Sequence, residues 1–237
     1  MAIATALGYA DLPRLLTLQT GDEKHDRASL STLDILWVLY DRILGPDDRF
    51  LLSKGHGPTA YYAVLAAKGF IPVDVLPTFG AFDSPLGNHP DHVLAPGVEL
   101  SSGSLGHGLP IAVGRALAGA PGRRSHIRHT RGADPGSCIP PGSGRRVFVL
   151  VGDGELDEGS NWEAIQYAGR IRLANLTVVA IDNDSSSYGW PGGIERRFEL
   201  EGWAVARADG RDHEALARAF EKPGGGRPHL VVAEVRG

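Results

Sequence analysis

Two short stretches of this chain contain almost nothing but aliphatic and β-branched residues. They are residues 147–151 (VFVLV) and 176–181 (LTVVAI). A run with no polar alternation cannot turn either side to water, so both read as strands buried on two faces. Residues 158–170, between them, have helical length and pattern. Strand, helix and strand in that order form a crossover that makes the two strands parallel. The pattern returns further on, with a strand at 203–206, a helix at 212–221 and a strand at 230–235 (LVVAEV). A short strand at 49–52 precedes them. The predicted fold class is α/β: a mostly parallel sheet with helices on both faces.

The rest of the chain is expected to decorate that sheet. Residues 2–18 and 30–44 carry apolar stripes of helical period, and Ser29 or Ser31 can cap the second. A helix over 59–68 stops at Gly69, and another spans 104–119. Residues 78–102 are rich in Gly, Pro, Asn, Asp and His and read as a long ordered loop. Residues 119–146 have turn formers, charges and no apolar period, which predicts a mobile surface loop. His126 and His129 fall there without a carboxylate or cysteine cluster, so no metal site is read from them. No repeat or boundary divides the chain, so a single domain over 1–237 is expected.

Composition excludes several classes. Apolar residues make up 42 % and charged residues 22 %, the balance of an ordinary globular chain. A net charge of −4 gives no reason to expect nucleic acid or an anionic membrane as partner. The one cysteine, Cys138, rules out an intrachain disulfide and fits a reducing cytoplasm. Asp11 and Arg14 interrupt the N-terminal apolar residues, so no signal peptide or membrane span is read there.

Ligands of open α/β sheets gather at the carboxyl ends of the strands. The first buried run ends in Gly152-Asp153-Gly154 and the second in Asp182-Asn183. Neighbouring strands would set Asp153 beside Asn183 at one sheet edge. A carboxylate and an amide oxygen are hard ligands of the kind Mg²⁺ takes, with water and phosphate completing the octahedron. Gly154 opens the turn into a helix whose N-terminus favours an anion. Either motif alone reads equally as a plain turn or an Asx cap. Their joint placement points to a metal-bridged diphosphate site. The third glycine of the dinucleotide fingerprint is missing and Glu155 stands near the turn, which argues against NAD.

Three blocks in order carry a resemblance over nearly the whole chain. They are 52–70 (LSKGHGPTAYYAVLAAKGF), 87–118 (GNHPDHVLAPGVELSSGSLGHGLPIAVGRALA) and 147–184, which holds Gly152-Asp153-Gly154 and, thirty residues after Asp153, Asn183. The chain resembles the transketolase family, and most closely its separately encoded N-terminal subunits. The resemblance implies thiamine diphosphate as cofactor with Mg²⁺ or Ca²⁺. Carried across residue by residue, Asp153, Asn183 and the backbone carbonyl of Ser185 bind the metal, and Gly154 touches the diphosphate. His56 lies near diphosphate and substrate, and His89 near the reactive carbon. Gly103 and Leu105 line the cofactor rings. His25 aligns with a substrate-contacting histidine, although the family's Gly-His-Pro-Gly is absent around it. Glu158 and Glu163 align with interface acids. His107 stands where the family commonly has Gln.

The same resemblance implies transfer of a two-carbon ketol unit from a ketose phosphate to an acceptor. Family enzymes also use a glutamate from a pyrimidine-binding domain, and one α/β domain leaves no room for it here. A partner subunit carrying that domain is therefore expected, in a two-plus-two heterotetramer in the cytoplasm. The chain ends at Gly237, where the family usually continues through Gly-Lys-Gly to another histidine. That departure puts sugar-phosphate specificity in question and leaves a carrier protein open as acceptor. An E1-like 2-oxoacid dehydrogenase component is the nearest alternative, and a non-catalytic scaffold is one of another class.

Overall fold

The computed structural model describes residues 7–21, 26–120, 145–221 and 225–236. The parallel sheet is present, with five strands. They are β1 (Arg49–Leu52), β2 (Val147–Gly152), β3 (Leu176–Asp182), β4 (Ala204–Asp209) and β5 (His229–Glu234). Every pairing is parallel and the spatial order is β1-β2-β3-β5-β4. Among the described residues, eight α-helices surround the strands: α1 (Leu12–Thr17), α2 (Asp26–Leu30), α3 (Leu33–Val38), α4 (Thr59–Ala67), α5 (Gly108–Gly119), α6 (Gly159–Arg170), α7 (Gly193–Leu200) and α8 (His213–Phe220). None of the described helices is long and apolar enough to cross a membrane.

Side-chain alternation along each strand divides the core in two. Phe50 and Leu52, Phe148 and Leu150, Val179 and Ile181, and Val231 and Ala233 face α3, α4 and α8. Leu51, Val147, Val149, Val151, Val178, Ala180, Leu230 and Val232 face α5, α6 and α7. β2 is buried at all six positions because helices cover both of its faces. β4, at the edge, keeps most of its residues partly open. α4 is buried from Thr59 to Ala66, so its apolar character runs around the whole helix. α6 approaches the turn before β4 closely: a Cβ on Gly169 would lie 2.0 Å from the carbonyl oxygen of Glu201. Trp203 closes that contact, buried edge-to-face on Phe198 at 5.0 Å and donating its indole N–H to Ile165 O at 2.9 Å.

Several boundaries differ from expectation. The helix expected over 30–44 begins at Leu33 and passes at Leu39–Ile43 into a π-helical turn. Neither serine caps it. Ser31 bonds Ala28 O, while Ser29 Oγ reaches across to accept from the Ala60 N–H in the first turn of α4. The helix expected from residue 104 starts at Gly108, because the residues before it form a turn. In place of the long N-terminal helix, a 3₁₀ turn at Tyr9–Asp11 leads into α1. Most of the 119–146 loop, with Cys138, His126 and His129, lies outside the described residues, as does His25.

Candidate active site

β2 and β3 run side by side with Gly152 opposite Ile181, and Asp153 N–H donates to Ile181 O at 2.9 Å as the ladder ends. Asp153 is 2 % exposed. Its Oδ1 accepts from Gly154 N at 2.8 Å and its Oδ2 from Ser185 N at 2.7 Å, and the Ser185 hydroxyl also donates to Oδ1. These bonds lock the carboxylate across the gap between the two strand ends. Asn183 lies one residue past β3. Asp184 then takes the left-handed region, φ 58°, which turns the chain back over the first strand. A Cβ on Gly154 would lie 3.0 Å from the Ser185 carbonyl oxygen, so glycine admits that carbonyl to the site.

One atom here is left over. The side-chain oxygen of Asn183 is buried and accepts no hydrogen bond. Buried acceptors usually find a donor, and this one is free to meet a cation or a donor that a ligand brings. Among the described residues no three His, Cys, Asp or Glu side chains cluster as a metal site. The donors available are one carboxylate, one amide oxygen and one main-chain carbonyl. That set could hold a hard divalent cation with water and phosphate in its remaining positions, and it suits no soft metal.

A cleft of about 460 Å³ opens above, lined by Lys54, His56, Leu105, Gly154, Asn183 and Ser185 among others. Its far wall depends on two close glycine approaches. A Cβ on Gly55 would lie 2.7 Å from Gly103 N, which lets the Lys54-Gly55-His56 turn rest on the loop before α5. Gly103, at φ 119°, would set a Cβ 2.6 Å from His89 Cδ2. His56 and His89 meet edge to face, with ring centroids 5.0 Å apart. Eight of the nine site residues expected from the sequence are thus brought together: Asp153, Asn183, Ser185 and Gly154 at the strand ends, and His56, His89, Gly103 and Leu105 on the loops. The ninth, His25, is outside the described residues. His107 is exposed, its Nδ1 3.3 Å from Ser104 O. Glu158 and Glu163 are exposed on the first turns of α6.

The helix expected over 158–170 is present at Gly159–Arg170, behind a 3₁₀ turn at Gly154–Asp157 that Gly154 opens. The Gly154 N–H is donated to Asp153.

Sequence reasoning missed two charged residues. Glu155, 2 % exposed, is the knot beneath the cleft. It accepts from the Ser53 hydroxyl, from Gly106 N at 3.0 Å and from Gly152 N at 3.4 Å. Ser53 Oγ in turn accepts from Gly108 N at 3.1 Å, so one carboxylate ties β1, β2 and the head of α5 together. Burial raises its pKa, opposed by those donors and by Lys54. Lys54 is 8 % exposed and donates to Ala28 O at 2.7 Å. Burial lowers its pKa to about 8, against the pull of Glu155 and Asp153. A single sequence offers no signal for either, because Lys and Glu are almost never buried.

The comparisons agree with this geometry. Residues 17–235 match the family model described as transketolase, thiamine diphosphate binding domain. A protein of Rhodococcoides fascians named ferredoxin fas2 is 51 % identical over 240 residues, covering 98 % of this chain and 73 % of that one. A subunit of the apulose-4-phosphate transketolase of Actinobacillus succinogenes is 38 % identical over 225 residues, covering 88 % and 75 %. Transketolase from Leishmania mexicana superposes with a TM-score of 0.70 at 25 % identity over 95 % of this chain, which spans 36 % of that enzyme's length. The ferredoxin name does not carry over: iron–sulfur clusters are held by several cysteine thiolates, and this sequence has one cysteine. The chain belongs to the transketolase family, as its N-terminal, thiamine diphosphate-binding part.

Proposed function

We propose that this chain is the diphosphate-binding subunit of a heteromeric, cytoplasmic transketolase-like enzyme. It moves a two-carbon ketol unit from a ketose phosphate to an acceptor, with thiamine diphosphate and Mg²⁺. The observation that carries the reading is the unpartnered amide oxygen of Asn183 beside the fixed carboxylate of Asp153, at the ends of two adjacent strands. Asp153, Asn183 and the Ser185 carbonyl would hold the metal, which would offset the diphosphate's charge, and Gly154 would lie against the diphosphate. When bound, the cofactor supplies the nucleophilic carbon and the electron sink for carbon–carbon cleavage.

The chain's own residues do the rest. His56 and His89 stand together at the cleft, where imidazoles can hold or move a proton at the substrate's oxygen. Gly103 and Leu105 shape the wall against the cofactor rings. His25 is assigned to substrate contact on the family resemblance. The relative named for apulose 4-phosphate points to a phosphorylated ketose, which supports that donor class. Two relatives are named as single subunits of such transketolases, which supports a partner here. To that partner we assign the pyrimidine-binding domain, with Glu158 and Glu163 facing the interface.

Calorimetric titration of thiamine diphosphate with Mg²⁺ tests the proposal, using the chain alone and mixed with a candidate partner encoded beside it. Binding should tighten strongly with the partner and fall by about a hundred-fold or more in Asp153→Ala, the order of losing a buried charged ligand. Turnover by the purified chain alone would overturn the requirement for a partner. Unchanged binding in the variant would overturn the site.

A further inference from the structure

Lys54 occupies a costly position. Ser53 N and Lys54 N both donate to Leu150 O, which pins the backbone to β2 just past the end of β1. The side chain then lies flat across the start of the Gly-Asp-Gly turn: a Cβ on Gly152 would lie 3.2 Å from Lys54 Cδ. A side chain at 152 would crowd the stem. The ammonium reaches the cleft with only 8 % of the residue exposed. An ammonium carries three donors, and this one spends a single donor on Ala28 O. No carboxylate among the described residues lies within ion-pair distance of it. Glu155 is engaged by Ser53, Gly106 and Gly152, and Asp153 by Gly154 and Ser185. A buried cation costs several kcal/mol of desolvation unless it meets a counter-charge. Across the same cleft lies Asn183, whose oxygen lacks a partner of the opposite kind.

We infer that Lys54 is a second cation for the cofactor's diphosphate, acting with the metal at Asp153 and Asn183. One divalent ion does not neutralise an ionised diphosphate, and the ammonium on the cleft wall supplies the remaining positive charge. The inference rests on the diphosphate-site reading above and adds to it a residue that binds phosphate directly.

The test compares wild type, Lys54→Met and Lys54→Arg, each mixed with the partner subunit, by calorimetry with thiamine diphosphate, thiamine, and inorganic pyrophosphate, all with Mg²⁺. Methionine keeps the stem and removes the charge. Lys54→Met should weaken thiamine diphosphate and pyrophosphate binding by about ten- to hundred-fold, the range for one charge-assisted hydrogen bond, and leave thiamine unchanged. Arginine should recover part of the loss. Equal affinity of wild type and Lys54→Met for thiamine diphosphate would overturn the assignment. So would a variant in which only the KM for the ketose phosphate rises, because Lys54 would then serve the donor's phosphate. Failure of the wild type to bind would instead sink the cofactor reading itself. Should Lys54→Met not fold, acetylation of Lys54 in the wild type decides. Pyrophosphate with Mg²⁺ should slow it several-fold and thiamine should not; equal labelling with all three additions would overturn the inference.

Discussion

The two halves of the sheet's carboxyl edge make opposite use of charge. At the β5–β4 end, Arg207 bonds both carboxylate oxygens of Glu195, meets Glu234 at 3.0 Å and Asp182 at 2.8 Å, and Arg236 adds to Glu234 at 2.6 Å. Nearby, Asp34 accepts from Tyr9, His213 and Arg211. A cavity of about 470 Å³ lies there, close in size to the cleft of about 460 Å³ at the β2–β3 end. Its charges are matched among themselves. At the β2–β3 end an amide oxygen lacks a donor and an ammonium lacks an ion-pair partner, and glycines hold the backbone open. Volume does not separate these places; the accounting of polar partners does. A saturated edge stabilises the fold, while an edge with groups left over is built for a ligand.

Glu155 should give the largest effect, because it belongs to both categories: it sits at the ligand end and is fully satisfied. Glu155→Ala strands the Ser53 hydroxyl and the N–H groups of Gly106 and Gly152. It should cost about 3 kcal/mol of stability by denaturant titration. Glu155→Gln is no rescue, since its amide would set donors against donors. A loss below about 1 kcal/mol for the alanine variant, less than one buried unsatisfied group costs, would mean that the knot does not hold the loops.

Asn183 should behave in the opposite way. In the apo chain Asn183→Ala removes an acceptor that has no donor, so denaturant stability should stay within about 0.5 kcal/mol of wild type or rise. Affinity for thiamine diphosphate with Mg²⁺ should drop about ten-fold or more. A variant that destabilises the apo chain and binds cofactor normally would erase the contrast between the two edges.

How far the sequence reveals these differences depends on what kind of residue carries them. β2 and β3 are legible because aliphatic runs have one physical use, and Asp153 and Asn183 are legible because they follow such runs. α7 is not: residues 193–200 (GIERRFEL) bury Ile194, Phe198 and a charged residue, Arg197, which disguises the apolar period. Arg197 is buried against Trp162 and Trp190, and burial lowers its pKa to about 9 against the pull of Asp157. The position of β5 between β3 and β4 is equally hidden, since periodicity records faces and not neighbours. Lys54 and Glu155 stay hidden for the same reason as Arg197. A charged letter reads as surface until the fold shows what surrounds it. The family blocks point to His56 and His89 as one site, which no local rule for isolated histidines gives.

The smallest effect, and the sharpest control, belongs to Arg207. Arg207→Met should leave the affinity for thiamine diphosphate with Mg²⁺ unchanged, because every contact it breaks is within the saturated edge. Its trace should appear in the pH dependence of stability. The hydrogen bond from Arg207 holds the Glu195 carboxyl below its usual range. A depressed folded pKa means that the unfolded chain takes up the proton first as pH falls. The resulting stabilisation is therefore complete above the unfolded carboxyl pKa, about 4.3, and is lost as pH falls through the lower folded value. Glu195 is partly exposed, so screening should keep its share under about 0.5 kcal/mol. Melting curves between about pH 7 and 3, which bracket that window, should show a slightly shallower acid limb in Arg207→Met than in wild type. Loss of cofactor binding in this variant would be the more consequential result. It would mean that the two edges are coupled through Asp182, which bonds Arg207 and immediately precedes Asn183. The ligand end would then depend on the charges that now look reserved for the fold.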